Sequence, residues 1–327
     1  MLEKATHNIN QIFLKEKLKK PPKKIAVAIS GGSDSMALTL FLQEFCLKNK
    51  IELFAITINH KIRASSDKES LKLNNFLKKQ KIPHQILEIS WQEKPTSNLE
   101  AKMREARYEL LYSYCAENKI KYLFLGHHLG DAAENFLIRL FRGSGLDGLC
   151  PILEISDFKK IKLVRPLLNF HKEELQSFLK ANKIKWFEDE SNEDEKFLRN
   201  KIRKFLDSFP EKNLIEKRIN NSSEEIAKTR DLFDQMMLLE AKKAFTFQAN
   251  KILINLENFK KINEKFALKI LALNVAKLAK KPYKPRLEKL KKFYEWILND
   301  IYHKPRDFYG CIAKKYDKFS LVILPQK

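Results

Sequence analysis

The first half of the chain alternates short apolar runs with longer stretches of helical periodicity, and this alternation restricts the fold more than any other feature. The short runs are rich in Val, Ile, Leu and Phe, which is typical of buried strands. They cover residues 24–30, 52–59, 84–90, 122–126 and 161–168. Apolar residues three or four positions apart predict helices over residues 35–48, 67–81 and 98–118. Strand and helix in repeated succession predict an α/β fold, a parallel sheet with helices on both faces.

Glycine marks two places in this pattern. The chain contains only 8 glycines, of which Gly31 and Gly32 follow the first strand and Gly126 and Gly130 lie at the end of the fourth. A chain that uses glycine so sparingly keeps it where the backbone needs it. Ligands of parallel sheets bind at the carboxyl ends of the strands. The sequence therefore predicts a binding site formed by the segments after the first and fourth strands.

The segment after the first strand has the composition of a phosphate-binding loop. Its residues are Ser30, Gly31, Gly32, Ser33, Asp34 and Ser35. Two consecutive glycines let the backbone turn tightly and point N–H groups at an anion, and the start of the following helix adds its dipole. The segment is neither a Walker A nor a GxGxxG sequence. A Gly-Gly turn with Asp34 or Ser35 capping the helix is the simpler alternative.

The segment after the fourth strand, GHHLGDAAEN at residues 126–135, carries two acidic side chains. Asp131 and Glu134 are three positions apart, so a helix presents them on one face. Carboxylates there can share a Mg²⁺ ion or accept a proton from an amine. Acidic residues are also common in the first turn of helices that have no catalytic role. A zinc site of His127, His128 and Asp131 would lack a recognisable ligand spacing.

Both segments resemble one known family. SGGSDS matches the SGGxDS loop of the PP-loop ATP pyrophosphatases, and GHHLGDAAEN resembles the GHHxDDQxET motif of the tRNA(Ile)-lysidine synthetases within that family. Further matching stretches follow in the same order at residues 60–63, 98–108, 142–149, 165–167 and 189–203. The resemblance covers residues 24 to about 210 and is weaker beyond them. The chain departs from the pattern at Gly130, Ala132 and Asn135, which replace Asp, Gln and Thr, and at Asn59, which replaces a common Asp.

This resemblance implies a ligase with a PP-loop N-terminal domain. Its reaction would join free L-lysine to C2 of the wobble cytidine in an isoleucine tRNA with a CAU anticodon. An adenylated tRNA would be the intermediate, and AMP and pyrophosphate would be released. The implied cofactors are ATP and Mg²⁺, and a homodimer is one possible assembly.

The resemblance also assigns roles to individual residues. The implied catalytic residues are Asp131, Glu134, Arg107 and Arg199, with Asp131 as the base. The implied ATP-binding residues are the loop 30–35, Gly126 and His127, and the implied Mg²⁺ ligands are Asp34 and Asp131. Both arginines can instead be ordinary ion-pair partners, since structural ion pairs often imitate active sites.

The distribution of charge points to a polyanionic partner. The formal net charge is +22, and residues 277–292 carry eight Lys or Arg with only Glu288 opposing them. The residues predicted to bind the tRNA backbone are Lys281, Lys284, Arg286, Lys289 and Lys292. Tyr283 is available to stack on an RNA base. A solvated helix face is the plainer interpretation of such a run.

A change of pattern near residue 210 divides the chain. We predict a catalytic domain over residues 1–212 and a basic tRNA-binding domain over residues 213–327. The second domain is expected to be a smaller, mainly helical α+β unit that begins with a long connecting helix at about 214–245.

The four cysteines bear on the cellular compartment of the protein and on its alternative functions. Cys46, Cys115, Cys150 and Cys311 are far apart, with no CxxC pair, which indicates a reduced compartment. With neither a signal segment nor an apolar run of about 18 residues, we expect a cytoplasmic protein without membrane contact. The tRNA thiolases that share the loop generally use paired cysteines, which argues against that alternative. A non-catalytic RNA-binding protein on a decayed PP-loop scaffold is the alternative that Gly130 keeps open.

Overall fold

The computed structural model describes residues 1–18, 20–59, 66–90, 99–187, 198–281, 283–299 and 304–326. The matching stretch 60–63, Asn98 and the positions 189–192 lie outside the described residues. The chain divides into two compact units, Met1–Ala227 and Lys228–Lys327. Each unit has its own sheet and its own buried core.

The first unit is built on a six-stranded sheet. Its strands are β1 (Lys24–Ala28), β2 (Glu52–Asn59), β3 (His84–Glu88), β4 (Tyr122–Phe124), β5 (Ile155–Phe158) and β6 (Ile161–Val164). They lie in the order β3-β2-β1-β4-β6-β5, and all neighbours are parallel except β5, which is antiparallel to β6. The predicted parallel sheet is confirmed. Strand β5 escaped prediction because its residues are only partly buried or exposed and form no apolar run.

Strands β1 and β4 are neighbours in the sheet although they are far apart in sequence. Val27 pairs with Phe124, while β2 and β3 lie on the other side of β1. Loops that leave adjacent carboxyl ends in opposite directions open a crevice at such a reversal of strand order. The segments 30–35 and 126–135 therefore leave the sheet side by side.

Helices cover both faces of this sheet, as predicted. The helices of the first unit are α1 (Leu2–Lys15), α2 (Ser33–Asn49), α3 (Ser66–Lys79), α4 (Leu99–Glu117), α5 (Leu129–Phe141), α6 (Lys172–Ala181), α7 (Leu198–Asp207) and the start of α8 (Lys212–Ala244). Successive residues of β1 point to opposite faces, so Val27 joins a core cluster with Phe41 of α2, whereas Ala26 joins one with Leu111 of α4. The sheet is therefore packed between two hydrophobic clusters, one on each face.

Helix α1 was not among the predicted elements. Its residues Ala5, Ile9 and Ile12 are fully buried in the core cluster on the α2 side of the sheet. Their spacing of three and four is that of an amphipathic helix. The N-terminal segment is therefore part of the core of the first unit.

Helix α8 contains the boundary between the two units. Its first turns belong to the first unit, because Ile215 and Ile219 pack against a cluster that includes Leu137 of α5 and Ile202 of α7. The predicted boundary at residue 212 falls at the first residue of this helix, whereas the compact units meet at residue 227. The difference arises because the apolar residues at the start of α8 are buried against α5 and α7.

The second unit is an antiparallel sheet with helices. Its strands are β7 (Phe245–Gln248), β8 (Lys251–Asn255), β9 (Arg306–Phe308), β10 (Cys311–Lys315) and β11 (Ser320–Pro325), in the order β7-β8-β11-β10-β9. Its helices, besides the end of α8, are α9 (Leu256–Lys261), α10 (Glu264–Leu278) and α11 (Leu287–Leu298). This agrees with the predicted α+β class. Across the residues that the structure describes, no helix combines the length and apolar character needed to cross a membrane.

Candidate active site

The phosphate loop is shaped by hydrogen bonds among its own residues. Ser35 Oγ donates to the carbonyl oxygen of Gly32 (3.0 Å) and accepts from the N–H of Ser30 (3.2 Å). Gly32 is the N-cap of α2. The loop is thereby folded back on the start of a 17-residue helix, whose free N–H groups and dipole attract phosphate.

Two glycines permit close approaches around this loop. Gly31 has a φ of +85°, and a Cβ there would lie 2.4 Å from the ring of Phe187, whose N–H donates to the Gly31 carbonyl oxygen (2.9 Å). A Cβ on Gly126 would lie 3.1 Å from the backbone C of Asp34 and N of Ser35. Because Gly126 has no side chain, the end of β4 packs directly against the first turn of α2. This contact brings the two segments together.

The imidazole of His128 joins the two segments. Its Nε2 lies 3.8 Å from Oδ2 of Asp34 and 3.7 Å from Oδ2 of Asp131. Its Nδ1 accepts a hydrogen bond from the N–H of Gly130 (3.0 Å), so in the neutral ring the proton is on Nε2 and faces both carboxylates. His128 is buried at 6% exposure. Two acidic residues from distant parts of the sequence therefore face the same N–H group.

Asp131 is an ionised carboxylate at the start of α5. The backbone N–H of His128 donates to its Oδ2 (3.1 Å), which completes a capping box. Burial acts to raise the pKa of Asp131, but the neighbouring rings of His128 and His127 and the backbone hydrogen bond outweigh burial and lower the pKa below its usual value. An ionised carboxylate beside a nucleotide loop can hold a cation or pair with an ammonium group.

Glu134 lies on the same face of α5 and pairs with two arginines of α7. Nε of Arg203 donates to its Oε1 (2.6 Å), and Nη2 of Arg203 donates to its Oε2 (3.3 Å). Nε of Arg199 lies 3.4 Å from the same Oε2. Burial raises the pKa of Glu134, and the hydrogen bonds from Arg203 oppose that rise. Because its carboxylate is engaged within the protein, the geometry favours a positioning role for Glu134 over proton transfer.

His127 is surrounded by positive charge. Burial lowers its pKa to about 4; Asp131 opposes this, and Arg165, Arg104 and Arg107 lower it further. The ring is therefore neutral at physiological pH. A neutral imidazole can position a substrate without adding repulsion to the surrounding guanidinium groups.

Several arginines cluster around His127 and act on it or on one another through their charges, namely Arg104, Arg107, Arg165 and Arg199. Burial lowers the pKa of Arg107, and the charges of Arg104 and Arg199 lower it further against the effect of Tyr108. Among the described residues, Nδ1 of His127, Nε of Arg165 and Nε of Arg199 are buried without a hydrogen-bond partner. Clustered, partly buried like charges are unfavourable unless an anion joins them. The group fits a phosphate.

Asp34 and Asp131 have the donor chemistry that Mg²⁺ prefers. Mg²⁺ is usually held by one or two carboxylates together with substrate phosphates and water. The described residues, which include His127, His128 and Asp131, contain no group of three or more His, Cys, Asp or Glu that could hold a metal ion. The zinc alternative therefore has no support, whereas two carboxylates beside a phosphate loop fit an ion that arrives with a nucleotide.

The predicted tRNA-binding residues lie in the second unit, around the start of α11. Lys281, Lys284, Arg286, Lys289 and Lys292 are all exposed. A cavity of about 630 Å³ is lined by Tyr283, Lys284, Arg286, Lys289 and Tyr309. Nζ of Lys281 lies 4.4 Å from the ring centroid of Tyr309, whose hydroxyl donates to the carbonyl oxygen of Tyr283 (2.5 Å). Exposed basic groups around two tyrosines suit an RNA backbone and an unpaired base.

Four residues of the site had no predicted role in it. The sequence offers His128 as a zinc ligand or as a polar loop residue, although Asp131 three residues later is the signal for a capping box. Arg165 and Arg203 lie in stretches that match the family, but no role followed from that match. Phe187, which packs on Gly31, left no local signal because its partner is far away in the sequence.

The fold and the loop define the class of the first unit. A PP-loop domain family matches residues 1–208. The U34-tRNA thiolase NcsA from Methanococcus maripaludis, solved with its [4Fe-4S] cluster, has a similar structure with a TM-score of 0.57 at 19% identity, over 69% of this chain and 79% of that one. At that identity the likeness shows the fold alone. The first unit is a PP-loop domain.

Two relatives of similar sequence show to which family of PP-loop proteins the chain belongs. The tRNA(Ile)-lysidine synthase of Wolbachia pipientis wMel is 33% identical over 306 residues, which is 91% of this chain and 70% of the relative. That of Rickettsia typhi (strain ATCC VR-144 / Wilmington) is 33% identical over 327 residues, or 98% of this chain and 73% of the relative. The chain belongs to the tRNA(Ile)-lysidine synthase family.

Proposed function

We propose that this chain uses ATP to join lysine to C2 of the wobble cytidine in a CAU-anticodon isoleucine tRNA, which forms lysidine. The observation that carries the proposal is the convergence of Asp34 and Asp131 on Nε2 of His128. One carboxylate belongs to the nucleotide loop and the other is the proposed base, so ATP and an amine can meet there. The substrate in this proposal is inferred from the relatives, which are named tRNA(Ile)-lysidine synthase.

The first step is adenylation of the tRNA. The C2 oxygen of the cytidine attacks the α-phosphorus of ATP, the bond from that phosphorus to the bridging oxygen breaks, and pyrophosphate leaves. The phosphate loop and the start of α2 bind the departing pyrophosphate, and Arg107 and Arg199 stabilise the charge on the α-phosphate. Nε of Arg199 is buried and makes no hydrogen bond within the described residues, although it pairs with Glu134 at 3.4 Å, and this supports the role.

The second step forms the carbon–nitrogen bond. The ε-amine of lysine attacks C2, the bond between C2 and the adenylate oxygen breaks, and AMP leaves. The ε-ammonium group must lose a proton before its nitrogen can attack, and Asp131 is the proposed acceptor. Its lowered pKa keeps it ionised, so it can first pair with the lysine ammonium group. Glu134 positions Arg199 through the pair at 3.4 Å.

Several finer assignments belong to the same proposal. Asp34 and Asp131 would hold a Mg²⁺ ion, which when bound neutralises phosphate charge and aids the departure of pyrophosphate. Free L-lysine is the proposed amine donor, and the cytoplasm is the proposed location. A homodimer is a further proposal, which the mass of the protein in solution tests directly.

The second unit is proposed to bind the body of the tRNA. Its basic residues face solvent around the cavity beside Tyr283, which is 79% exposed. Exposed Lys and Arg bind an RNA backbone by releasing counterions, and an exposed tyrosine can stack on an unpaired base. Recognition of this kind adds affinity without reading much sequence.

The test is pyrophosphate release by purified protein with ATP, Mg²⁺, lysine and unmodified CAU-anticodon tRNA. Each component is omitted in turn, and incorporation of labelled lysine into the tRNA is followed in parallel. Release that requires the tRNA, together with lysine in the product, is the expected result. Tight tRNA binding without any pyrophosphate release would instead identify a binding protein on a decayed scaffold.

Sulfur transfer, the alternative chemistry of this fold, is disfavoured by the cysteines. All four are buried and free. Burial raises the pKa of Cys46 and of Cys115 to about 12, so neither thiol forms the thiolate that sulfur chemistry requires.

A further inference from the structure

Gly130 stands where the family motif has an aspartate, and the structure shows what fills the space. A Cβ built on Gly130 would lie 2.8 Å from Cε1 and 3.1 Å from Nδ1 of His128, and 3.1 Å from Oε1 of Glu216. A side chain here would therefore need the ring of His128 and the carboxylate of Glu216 to shift. The carboxylate oxygen of Glu216 already lies against the place where a side chain at this position would begin.

Glu216 reaches this place from the second turn of α8. The residue is 3% exposed, although it carries a carboxylate. Its Oε2 lies 3.6 Å from Nδ1 of His171, and its Oε1 lies 3.8 Å from Nζ of Lys212. A carboxylate this deeply buried is rare without a structural or functional reason.

Two helix N-termini meet at this carboxylate. Gly130 is in the first turn of α5, and His171 is the N-cap of α6. The positive ends of both helix dipoles therefore act on Glu216. The chain also connects these ends, because the N–H of Leu129 donates to the carbonyl oxygen of Phe170 (3.0 Å). Loss of the charge at residue 216 would loosen the segment that carries His128.

We propose that Glu216 supplies, from α8, the carboxylate that the family motif carries at position 130. It acts as a positioning residue. Its charge and volume hold the start of α5 and the ring of His128, and His128 in turn faces Asp34 and Asp131 across the ATP site. The departure at Gly130 is then a relocation of a carboxylate, and not its loss. The inference rests on the proposed function only through the use of ATP at this site.

The experiment measures equilibrium binding of ATP in the presence of Mg²⁺, without tRNA or lysine. Glu216→Gln removes the charge at nearly constant volume, and we expect the dissociation constant for ATP to rise about 10-fold, as when a group supporting a metal ligand is lost. Glu216→Ala should weaken ATP binding as well, and it also removes the side chain that lies 3.1 Å from a Cβ at position 130. Adding Gly130→Asp to Glu216→Ala should bring the constant back towards that of the unchanged protein. Gly130→Asn in the same background is the matched control, with the same shape but no charge, and it should bring no recovery.

Two outcomes would overturn the proposal: wild-type ATP binding by Glu216→Gln, or equal recovery with Asn and Asp at position 130. Melting curves of all variants identify those that fail to fold. Should neither Gly130 variant fold, Glu216→Gln decides alone, because a charge without a role leaves ATP affinity unchanged. A failure of lysine ligation would leave these binding results intact, so the two proposals fail separately.

Discussion

The phosphate loop at 30–35 and the segment at 126–135 follow neighbouring strands and meet at His128, yet they are held in different ways. The loop is fixed mainly by its own hydroxyl and backbone groups, such as Ser35 on Gly32, and has Phe187 as a distant partner at Gly31. The second segment depends on groups from α7 and α8, which contribute Arg203 and Glu216. A locally held segment must keep its sequence, whereas a segment held by distant partners can change if those partners change with it.

The largest expected effect is on catalysis and comes from Asp131→Asn. The variant keeps the shape of the side chain but cannot accept the proton from lysine, so we expect lysine incorporation to fall about 100-fold to 10,000-fold. Melting temperature should change little, because the amide oxygen can still accept the N–H of His128.

Asp157→Asn is the matched control for this loss. Its side chain is 76% exposed, on the edge strand β5, and pairs with Lys162. It should leave incorporation unchanged. Equal activity of the Asp131 variant and this control would remove Asp131 from the mechanism.

Glu134→Ala should act on stability. It leaves Arg203 and Arg199 beside one another without their shared carboxylate, and breaking a buried ion pair costs about 3 to 5 kcal/mol. Since the two arginine side chains are 28% and 32% exposed, water recovers part of that loss, and we expect a drop of about 3 kcal/mol in the free energy of unfolding. Urea denaturation measures it. A variant as stable as the unchanged protein would mean that the pair does not hold α7 against α5.

The difference between the two segments also explains what could be predicted from sequence. The sheet, its helices and the loop 30–35 follow from periodicity and from residues adjacent in the chain. The pairing of Glu134 with Arg203 and the contact of Glu216 with Gly130 join positions far apart in sequence, and no local pattern encodes them. Helix α1 differs, because the apolar spacing of Ala5, Ile9 and Ile12 is a local signal, and what the sequence does not reveal is the core on which they pack.

The two glycines of the loop should differ in their tolerance of a methyl group. In Gly31→Ala the new Cβ meets the Phe187 ring at 2.4 Å and the residue is held at a φ of +85°. We expect a loss of about 2 to 3 kcal/mol in the free energy of unfolding, together with weaker ATP binding. Gly32→Ala is the matched comparison, because its Cβ would meet nothing closer than 3.7 Å.

For Gly32→Ala we expect the free energy of unfolding to fall by at most about 1 kcal/mol, because alanine is a poorer N-cap for α2 than glycine. Thermal and urea unfolding of both variants measure the difference. Equal losses would show that the contact with Phe187 does not constrain the loop, and that the segment 30–35 is held by its helix alone.

The smallest effect is expected from the exposed basic side chains of the second unit, which do not hold the fold together. Lys289→Gln removes one exposed charge from the cavity of the second unit, so stability should stay the same. Affinity for tRNA should fall a few-fold, and the slope of log affinity against log salt should decrease by about one, the value for a single phosphate contact. Lys265→Gln, on the exposed face of α10, is the matched control and should leave the slope unchanged. Equal slopes for both variants would make the basic run a solvated face, and tRNA binding would then have to be sought elsewhere in the chain.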